Sequence, residues 1–263
     1  MSYGALEESR SRQTYRGDEL RALQKARTYY SWLLDEFRPY LKGRCLEVGA
    51  GTGTFTRYLL SSDISEIHCV EPSANLLEAL RKILSESSKP TKLVPTDLED
   101  FHLQNSVTFD CIVCVNVLEH IADDYKATRI LAEHLVPEGH VCLFVPALPR
   151  LYGTLDLEFN HYRRYRRDEV AYLLRSAGLE VRKLKYFNMA GVFTWAIMGK
   201  VLNKRTFSPT LIGAYDRLLA PLLRKLESRF RPPLGQSLLA VAQKPGGVGL
   251  ESPVKGRNKN RNL

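Results

Sequence analysis

Glu47, Gly49, Gly51 and Gly53 share one run, Leu46-Glu47-Val48-Gly49-Ala50-Gly51-Thr52-Gly53, which sets an acid beside three alternating glycines. A residue without Cβ lets the backbone turn sharply and lets a ligand lie directly on it. A second acid, Glu71, closes the next apolar run, Ile67-His68-Cys69-Val70. Two acids around a glycine loop suit a ligand with hydroxyls and an amine, and suit a pyrophosphate poorly. A dinucleotide fingerprint, G-x-G-x-x-G, would need its third glycine at position 54, where the chain has Thr54.

These residues need elements that carry them to one edge. Strand-like runs at Arg44–Gly49, Glu66–Glu71, Lys92–Val94, Phe109–Asn116, Gly139–Val145, Leu179–Tyr186 and Gly235–Gln243 are interspersed with helical patterns. The helices are Thr54–Leu60, Ser73–Leu84, Asp124–Leu135 and Asp168–Ala177. Ser73 is placed as an N-cap and Gly178 as a C-terminal stop. Phe109–Asn116 is almost wholly apolar, as a strand buried on both faces must be. Such alternation predicts an α/β, Rossmann-like fold: a seven-stranded, mostly parallel sheet with helices on both faces. Ligands bind such sheets beyond the carboxyl ends of the strands, where the strand order reverses, and the glycine loop ends strand one.

A helical pattern at Glu19–Tyr40 precedes the sheet. Two more, 189–203 and 209–228, the second interrupted at Pro221, form a helical cap inserted at about 189–232, before the last strand. Residues 1–18 read as a flexible N-terminus, and 246–263 as a disordered basic tail.

The 263 residues suffice for one large domain with an elaborated cap. Residues 1–20 show no signal pattern. The longest apolar run, Met189 to Leu202, falls short of the ~20 residues that span a bilayer and carries Lys200. The expected compartment is the cytoplasm. Cys45, Cys69, Cys111, Cys114 and Cys142 all sit in strand-like runs, so they read as buried reduced thiols. Cys111 and Cys114 are three apart on a strand and so point to opposite faces, and no second ligand pair accompanies them; no metal site is expected. The net charge of +9 gathers at Arg163, Arg164, Arg166 and Arg167, along the later helices and in the tail. Such surfaces favour anionic partners.

The E-x-G-x-G-x-G run resembles motif I of the class I S-adenosylmethionine-dependent methyltransferases, and the strand-end motifs extend the likeness over about residues 40–150. The resemblance implies S-adenosylmethionine as cofactor. It implies Glu47, Gly49, Gly51 and Gly53 at the methionine side, Glu71 at the ribose hydroxyls, Asp97 and Leu98 at adenine, and Asn116 near the methionine moiety. It implies strand order 3-2-1-4-5-7-6 with the last strand antiparallel, and a methyltransferase domain spanning 19–245. The block Pro146-Ala147-Leu148-Pro149-Arg150-Leu151-Tyr152-Gly153, continuing to Asn160-His161-Tyr162-Arg163-Arg164-Tyr165, looks like a subgroup of bacterial methyltransferases of the type 11/12 group. That subgroup is associated with glycosyltransferases and lipid-linked sugar assembly.

A hydroxyl acceptor must lose a proton, and His120 and His161 are the candidate bases, since imidazole titrates near neutrality. His161 is preferred, because arginines around it would lower its pKa and leave it neutral. Asp156, Tyr162, Arg163 and Arg164 are candidate substrate-binding residues; the arginines suit a phosphate or carboxylate, or else form a basic surface. Trp32, on the first helix, is either packing or part of a closure over the cofactor.

The expected activity is O-methylation of a small-molecule, saccharide or lipid-linked acceptor. The alternatives are an RNA methyltransferase and a non-catalytic S-adenosylmethionine-binding scaffold. Nucleic acid is disfavoured because Asn116-Val117-Leu118-Glu119 stands where base-methylating enzymes resemble one another in an Asn/Asp-Pro-Pro-Tyr/Phe motif. Phe193, Trp195, Ile197, Met198 and Val201, flanked by basic residues, either rest on an anionic membrane at its inner face or pack against the sheet or a dimer partner.

Overall fold

The computed structural model describes residues 24–202 and 208–246. The expected flexible N-terminus at 1–18 and all but the first residue of the expected basic tail lie outside the described residues.

Seven strands form one sheet: β1 (Gly43–Val48), β2 (Ile64–Val70), β3 (Thr91–Val94), β4 (Phe109–Val115), β5 (Leu135–Pro146), β6 (Glu180–Phe187) and β7 (Ser237–Gln243). Their order is β3-β2-β1-β4-β5-β7-β6, as the family resemblance implies. All pairs are parallel except those of β7, which runs antiparallel to β5 and β6. The order reverses between β1 and β4, which opens a crevice beyond their carboxyl ends.

Period-two alternation explains how these strands bury both faces. Leu46, Ile112, Leu143 and Ala240 pack on one face. Cys45, Cys111, Cys142 and Leu239 pack on the other. Cys111 and Cys114 belong to opposite faces, and all five cysteines are free and buried.

Helices cover both faces. In chain order up to β6 they are α1 (Arg27–Phe37), α2 (Thr56–Leu60), α3 (Leu77–Ser85), α4 (Leu98–Gln104), α5 (Asp124–Glu133), α6 (Thr154–Glu158) and α7 (Arg167–Ser176). In α3 the buried residues Leu77, Leu80, Ile83 and Leu84 recur at helical spacing on one side.

Several local expectations are corrected. Ser73 is not an N-cap: α3 begins four residues later, and Ser73 N–H instead donates to Glu71. The stretch after β3, for which the sequence pattern predicts no helix, contains the helix α4, and Asp97 is its N-cap, accepting from Asp100 N–H at 2.9 Å. The block after β5, for which no helix is predicted either, contains the short helix α6. The fifth strand starts at Leu135 rather than Gly139, taking the last residue assigned to the helix before it; Glu138, at φ +63°, accommodates the irregular step.

Between β6 and β7 lie α8 (Met189–Trp195), a wider turn over Ala196–Val201, α9 (Pro209–Leu218) and α10 (Ala220–Glu227). The expected interruption near Pro221 falls at Leu219, and Pro221 occupies the first turn of α10, where its missing N–H is harmless. Two buried acids fasten this insertion. Asp216 on α9 accepts Thr28 N–H and Tyr29 N–H, at 2.9 and 2.8 Å, in the first turn of α1. Glu227 on α10 accepts Asn188 N–H and Met189 N–H at the start of α8. Each carboxylate fills the role of a cap from a distant part of the chain, where the helix dipole favours negative charge.

Asp216→Ala is expected to leave two first-turn donors of α1 unpaired and to lower stability by about 2 kcal/mol. Chemical denaturation of the variant beside the parent measures this; an unchanged midpoint would show that the latch contributes nothing.

Candidate active site

The glycine loop between β1 and α2 bends because three glycines take positive φ: +69° at Gly49, +56° at Gly51 and +78° at Gly53. At two of them side chains are also excluded by packing. A Cβ on Gly49 would lie 2.3 Å from Val117 Cγ2, and one on Gly53 would lie 2.6 Å from Ile83 Cδ1. The loop is tied to the next strand tip by Glu71, whose Oε2 accepts Gly51 N–H and whose Oε1 accepts Ser73 N–H, both at 2.8 Å. Each oxygen keeps a lone pair for a further donor.

Glu47 is buried at the end of β1 and accepts Thr56 Oγ1–H at 2.6 Å. Burial pushes its carboxyl up to about 7, against the pull of bonds from Thr56 and Cys69. Asn116, at φ +52°, turns the chain out of β4. Glu47, Gly49, Gly51, Glu71, Asp97, Leu98 and Asn116 all line one cavity of about 1220 Å³. Gly53 sits under the loop rather than on its wall, against α3. Asp97 is exposed and commits one oxygen to capping α4, whereas Leu98 is buried.

The same cavity continues over the segment after β5. His161, Tyr162 and Arg164 line it, and so do Glu119 and His120 from the 3-10 turn Leu118–His120. Asp156 and Arg163 are not among its lining residues. Asp156 is fully buried on α6 and collects four donors: Arg164 Nε at 2.7 Å and His161 Nδ1 at 3.0 Å on Oδ1, Gly153 N–H at 3.0 Å and Trp195 Nε1–H at 3.2 Å on Oδ2. Burial alone would raise its pKa, but His161 and Arg164 outweigh burial and hold the carboxyl below its ordinary value. Asp156 is therefore an acceptor only, so His161 carries its hydrogen on Nδ1 and, while neutral, presents Nε2 as the basic atom.

The arginines expected to flank His161 are not its partners; its ring faces the carboxylates of Asp156 and Glu119, the latter 3.9 Å from Nε2. Arg163 turns away to Asp124 and the Ala122 carbonyl, at 2.8 and 2.7 Å. Arg164 spends Nε on Asp156 and Nη1 on the Ala147 carbonyl, lies 4.4 Å over the Trp195 ring, and leaves Nη2 buried without a partner. Tyr162 is exposed, and its backbone N–H donates to the Glu119 carbonyl. Trp32 does not reach the cavity; it packs on Phe187 with ring centroids 3.9 Å apart, and Tyr29 and Tyr30 of the same helix line the wall instead.

Glu119 is the residue that sequence reasoning passed over. It is fully buried, and neither carboxyl oxygen has a hydrogen-bond partner. Burial pushes its pKa up to about 7, with His161 pulling it back. The only sign in the sequence is its place next to His120 after strand four. His120 packs edge-on to His161, 4.8 Å between ring centroids, and burial, with the adjacent His161, pushes its pKa down to about 4. Ligand atoms of Glu119, His120 and His161 lie within 4.8 Å of one another. A first-row cation needs them about 2 Å from itself, so this trio would have to contract to hold one.

Comparison with known proteins follows the same line. Residues 46–141 match the model of a family described as a methyltransferase domain. A ubiquinone biosynthesis O-methyltransferase of Aromatoleum aromaticum is 25% identical over 156 residues, covering 54% of this chain and 65% of that protein. One of the same name from Vibrio campbellii is 26% identical over 98 residues, 37% of this chain and 41% of that protein. The chain thus spans less than two thirds of either relative. The structure of a SAM-dependent methyltransferase from Archaeoglobus fulgidus superposes with a TM-score of 0.55 at 17% identity, covering 92% of this chain and all of that one. S-adenosylmethionine is the cofactor this fold family takes, and the residues fit it: a loop held open by positive φ, a Glu71 carboxylate with spare lone pairs at the next strand tip, and no third-glycine pyrophosphate turn. Residues 46–141 thus match a methyltransferase domain, set in a sheet whose strand order and glycine loop are those that the class I resemblance implies.

Proposed function

We propose that the chain catalyses S-adenosylmethionine-dependent O-methylation of a small-molecule or lipid-linked acceptor, with His161 as the general base. The observation that carries this reading is the Asp156–His161 pair, which leaves His161 Nε2 as a proton acceptor in the wall of the cavity that begins at the glycine loop. The names of the relatives, which speak of O-methylation in ubiquinone biosynthesis, support an oxygen acceptor.

When bound, the cofactor supplies a methyl group activated by a positively charged sulfur. Glu47, Gly49, Gly51, Gly53, Glu71, Asp97, Leu98 and Asn116 are the residues assigned to hold it. Glu71 is suited to ribose hydroxyls because its oxygens accept only, and its two backbone bonds fix its orientation beforehand. His161 takes the acceptor hydroxyl's proton at Nε2. The imidazolium so formed lies between Asp156 and Glu119; the ionised Asp156 stabilises it, and Glu119 adds to that once it has lost its own proton, above about pH 7. His120, whose pKa is near 4, is the weaker base of the two and serves better as a neutral hydrogen-bonding wall. Arg164 Nη2 is the spare donor, suited to an oxygen or carboxylate of the acceptor. Tyr162 flanks the entrance as an exposed aromatic surface.

Isothermal titration with S-adenosylmethionine is expected to show binding that Glu71→Ala weakens at least ~10-fold, since a charged hydrogen-bond acceptor is lost. Absence of binding by the parent protein would remove the reading altogether. His161→Gln is expected to leave that affinity unchanged and to slow transfer to a hydroxyl acceptor by roughly 10²–10⁴-fold. A variant that turns over normally would relieve His161 of its role.

Glu119 gives a pH signature. Its folded-state pKa, about 7, lies above its ordinary value of 4.5, so the folded chain holds this proton to higher pH than the unfolded chain does. Its contribution to stability therefore falls as pH rises from about 4.5 to about 7, and above that range the buried charge is a net cost. Glu119→Gln is expected to raise the thermal midpoint by ~5 °C at pH 8 and to change it little at pH 4. Equal midpoints at both pH values would show that the carboxyl is solvated.

A further inference from the structure

The helices between β6 and β7 are built unlike a solvent-facing cap. From Leu218 through Glu227 the chain is almost continuously helical, because Leu219 keeps αR angles between α9 and α10. Ala220, Leu223 and Glu227 face inward and are buried. Leu218, Leu222 and Leu226, spaced by four, face outward at 65%, 65% and 47% exposure, and Leu219 and Phe230 are exposed as well. An ordinary surface helix carries polar groups on its outer stripe; this one is apolar on both sides.

Charge on the same segment is of one sign. Residues 208–233 contain two acids, Asp216 and Glu227, and both are buried and spent on backbone N–H groups. The exposed charges are Arg217, Lys225, Arg229 and Arg231, while Arg224 pairs with Asp35. The outward surface therefore offers leucines and cations and no carboxylate.

This surface is continuous with the cavity's mouth. Leu211, Leu218, Leu219 and Ile197 are exposed and also line the cavity, and Leu157 and Tyr162 do so from the segment after β5. The way in passes an apolar rim.

We propose that the outer face of α9 and α10 docks on the surface of an anionic lipid bilayer, so that the cavity opens toward the membrane and admits an acceptor carrying an apolar tail. The identity of that acceptor rests on the methyl-transfer reading; the docking does not. Among the described residues no helix is long and apolar enough to cross a bilayer, and α9 and α10 carry Arg217, Arg224 and Lys225 along their length. They lie on the interface instead, with leucines at the acyl boundary and basic side chains among the phosphates. A second copy of the chain fits this face less well. A two-fold contact would bring like charges together with no exposed acid of the segment to oppose them.

Flotation of the full chain with vesicles tests the proposal. The protein is expected to float with phosphatidylcholine vesicles containing phosphatidylglycerol, not with phosphatidylcholine alone, and to be released by high salt. Lys225→Glu with Arg229→Glu is expected to weaken partitioning on the order of tenfold or more. Leu222→Ser with Leu226→Ser is expected to abolish flotation. None of these four residues lines the cavity, so both double variants should bind S-adenosylmethionine as the parent does, which also reports folding. Equal flotation on neutral vesicles, or a charge variant that floats like the parent, would overturn the proposal. So would a dimer, seen by light scattering, that the leucine variant dissociates. Flotation by a protein that fails to bind S-adenosylmethionine would uphold the docking and defeat the methyl-transfer reading.

Discussion

A carboxylate taken out of water must find donors or keep its proton, and this molecule is organised by which of its buried acids do which. Glu71, Asp156, Asp216 and Glu227 all accept backbone N–H groups or charged side chains. Each thereby fixes a junction: the glycine loop to β2, α6 to the segment of His161, α9 to α1, and α10 to α8. Glu47 and Glu119 are less well supplied, and burial lifts both toward 7. Those two line the cavity, together with Glu71, whose oxygens keep lone pairs beyond their two backbone bonds. The acids away from the cavity are satisfied by the fold, and the acids that face it keep capacity for a ligand.

That division explains why a single segment can serve as both scaffold and site. Asp156 does not touch the cavity, yet it sets the tautomer of His161, the fork of Arg164 and, through Nε1, the ring of Trp195 on the inserted helix α8. The sheet, the β5–α7 connection and the insertion meet at one carboxylate. A change in the position of α8 would therefore be felt at Nε2 of His161 through two hydrogen bonds.

The parts legible in the sequence were those set by local periodicity. Three glycines at alternate positions, apolar runs ending in Glu71 and Asn116, and the alternation of strand-like with helical segments foretold the sheet, the strand tips and the loop. Long-range pairing was not legible. Nothing in Asp216 announces a bond to residues 188 and 187 positions earlier. Asp156 and Arg164, read as contacts for a substrate, found each other instead, because an acid and an arginine brought within 3 Å in a dry interior pair more cheaply than either stays alone. Asp97 shows a subtler failure. Its spacing to Asp100 is that of an N-cap, and the adenine contact that the family resemblance assigns to it left out the helix it starts. Glu119 and Asp124 are both acids after β4; one is orphaned against the cavity and the other bonded to Tyr165 and Arg163, a difference that only packing decides.

The insertion extends the same logic outward. Its acids are drawn inside to hold helix ends, which removes every carboxylate from its surface between residues 208 and 233 and leaves leucines and cations exposed. The latches and the outer face are thus one design: an acid used as a cap is an acid withdrawn from the surface. A sequence that needed only solubility would put its exposed acids on the outer turn of α10, where Leu222 and Leu226 stand. On the proposed reading, their presence beside the cavity's rim would connect the chemistry at His161 to whatever medium holds the acceptor's apolar part.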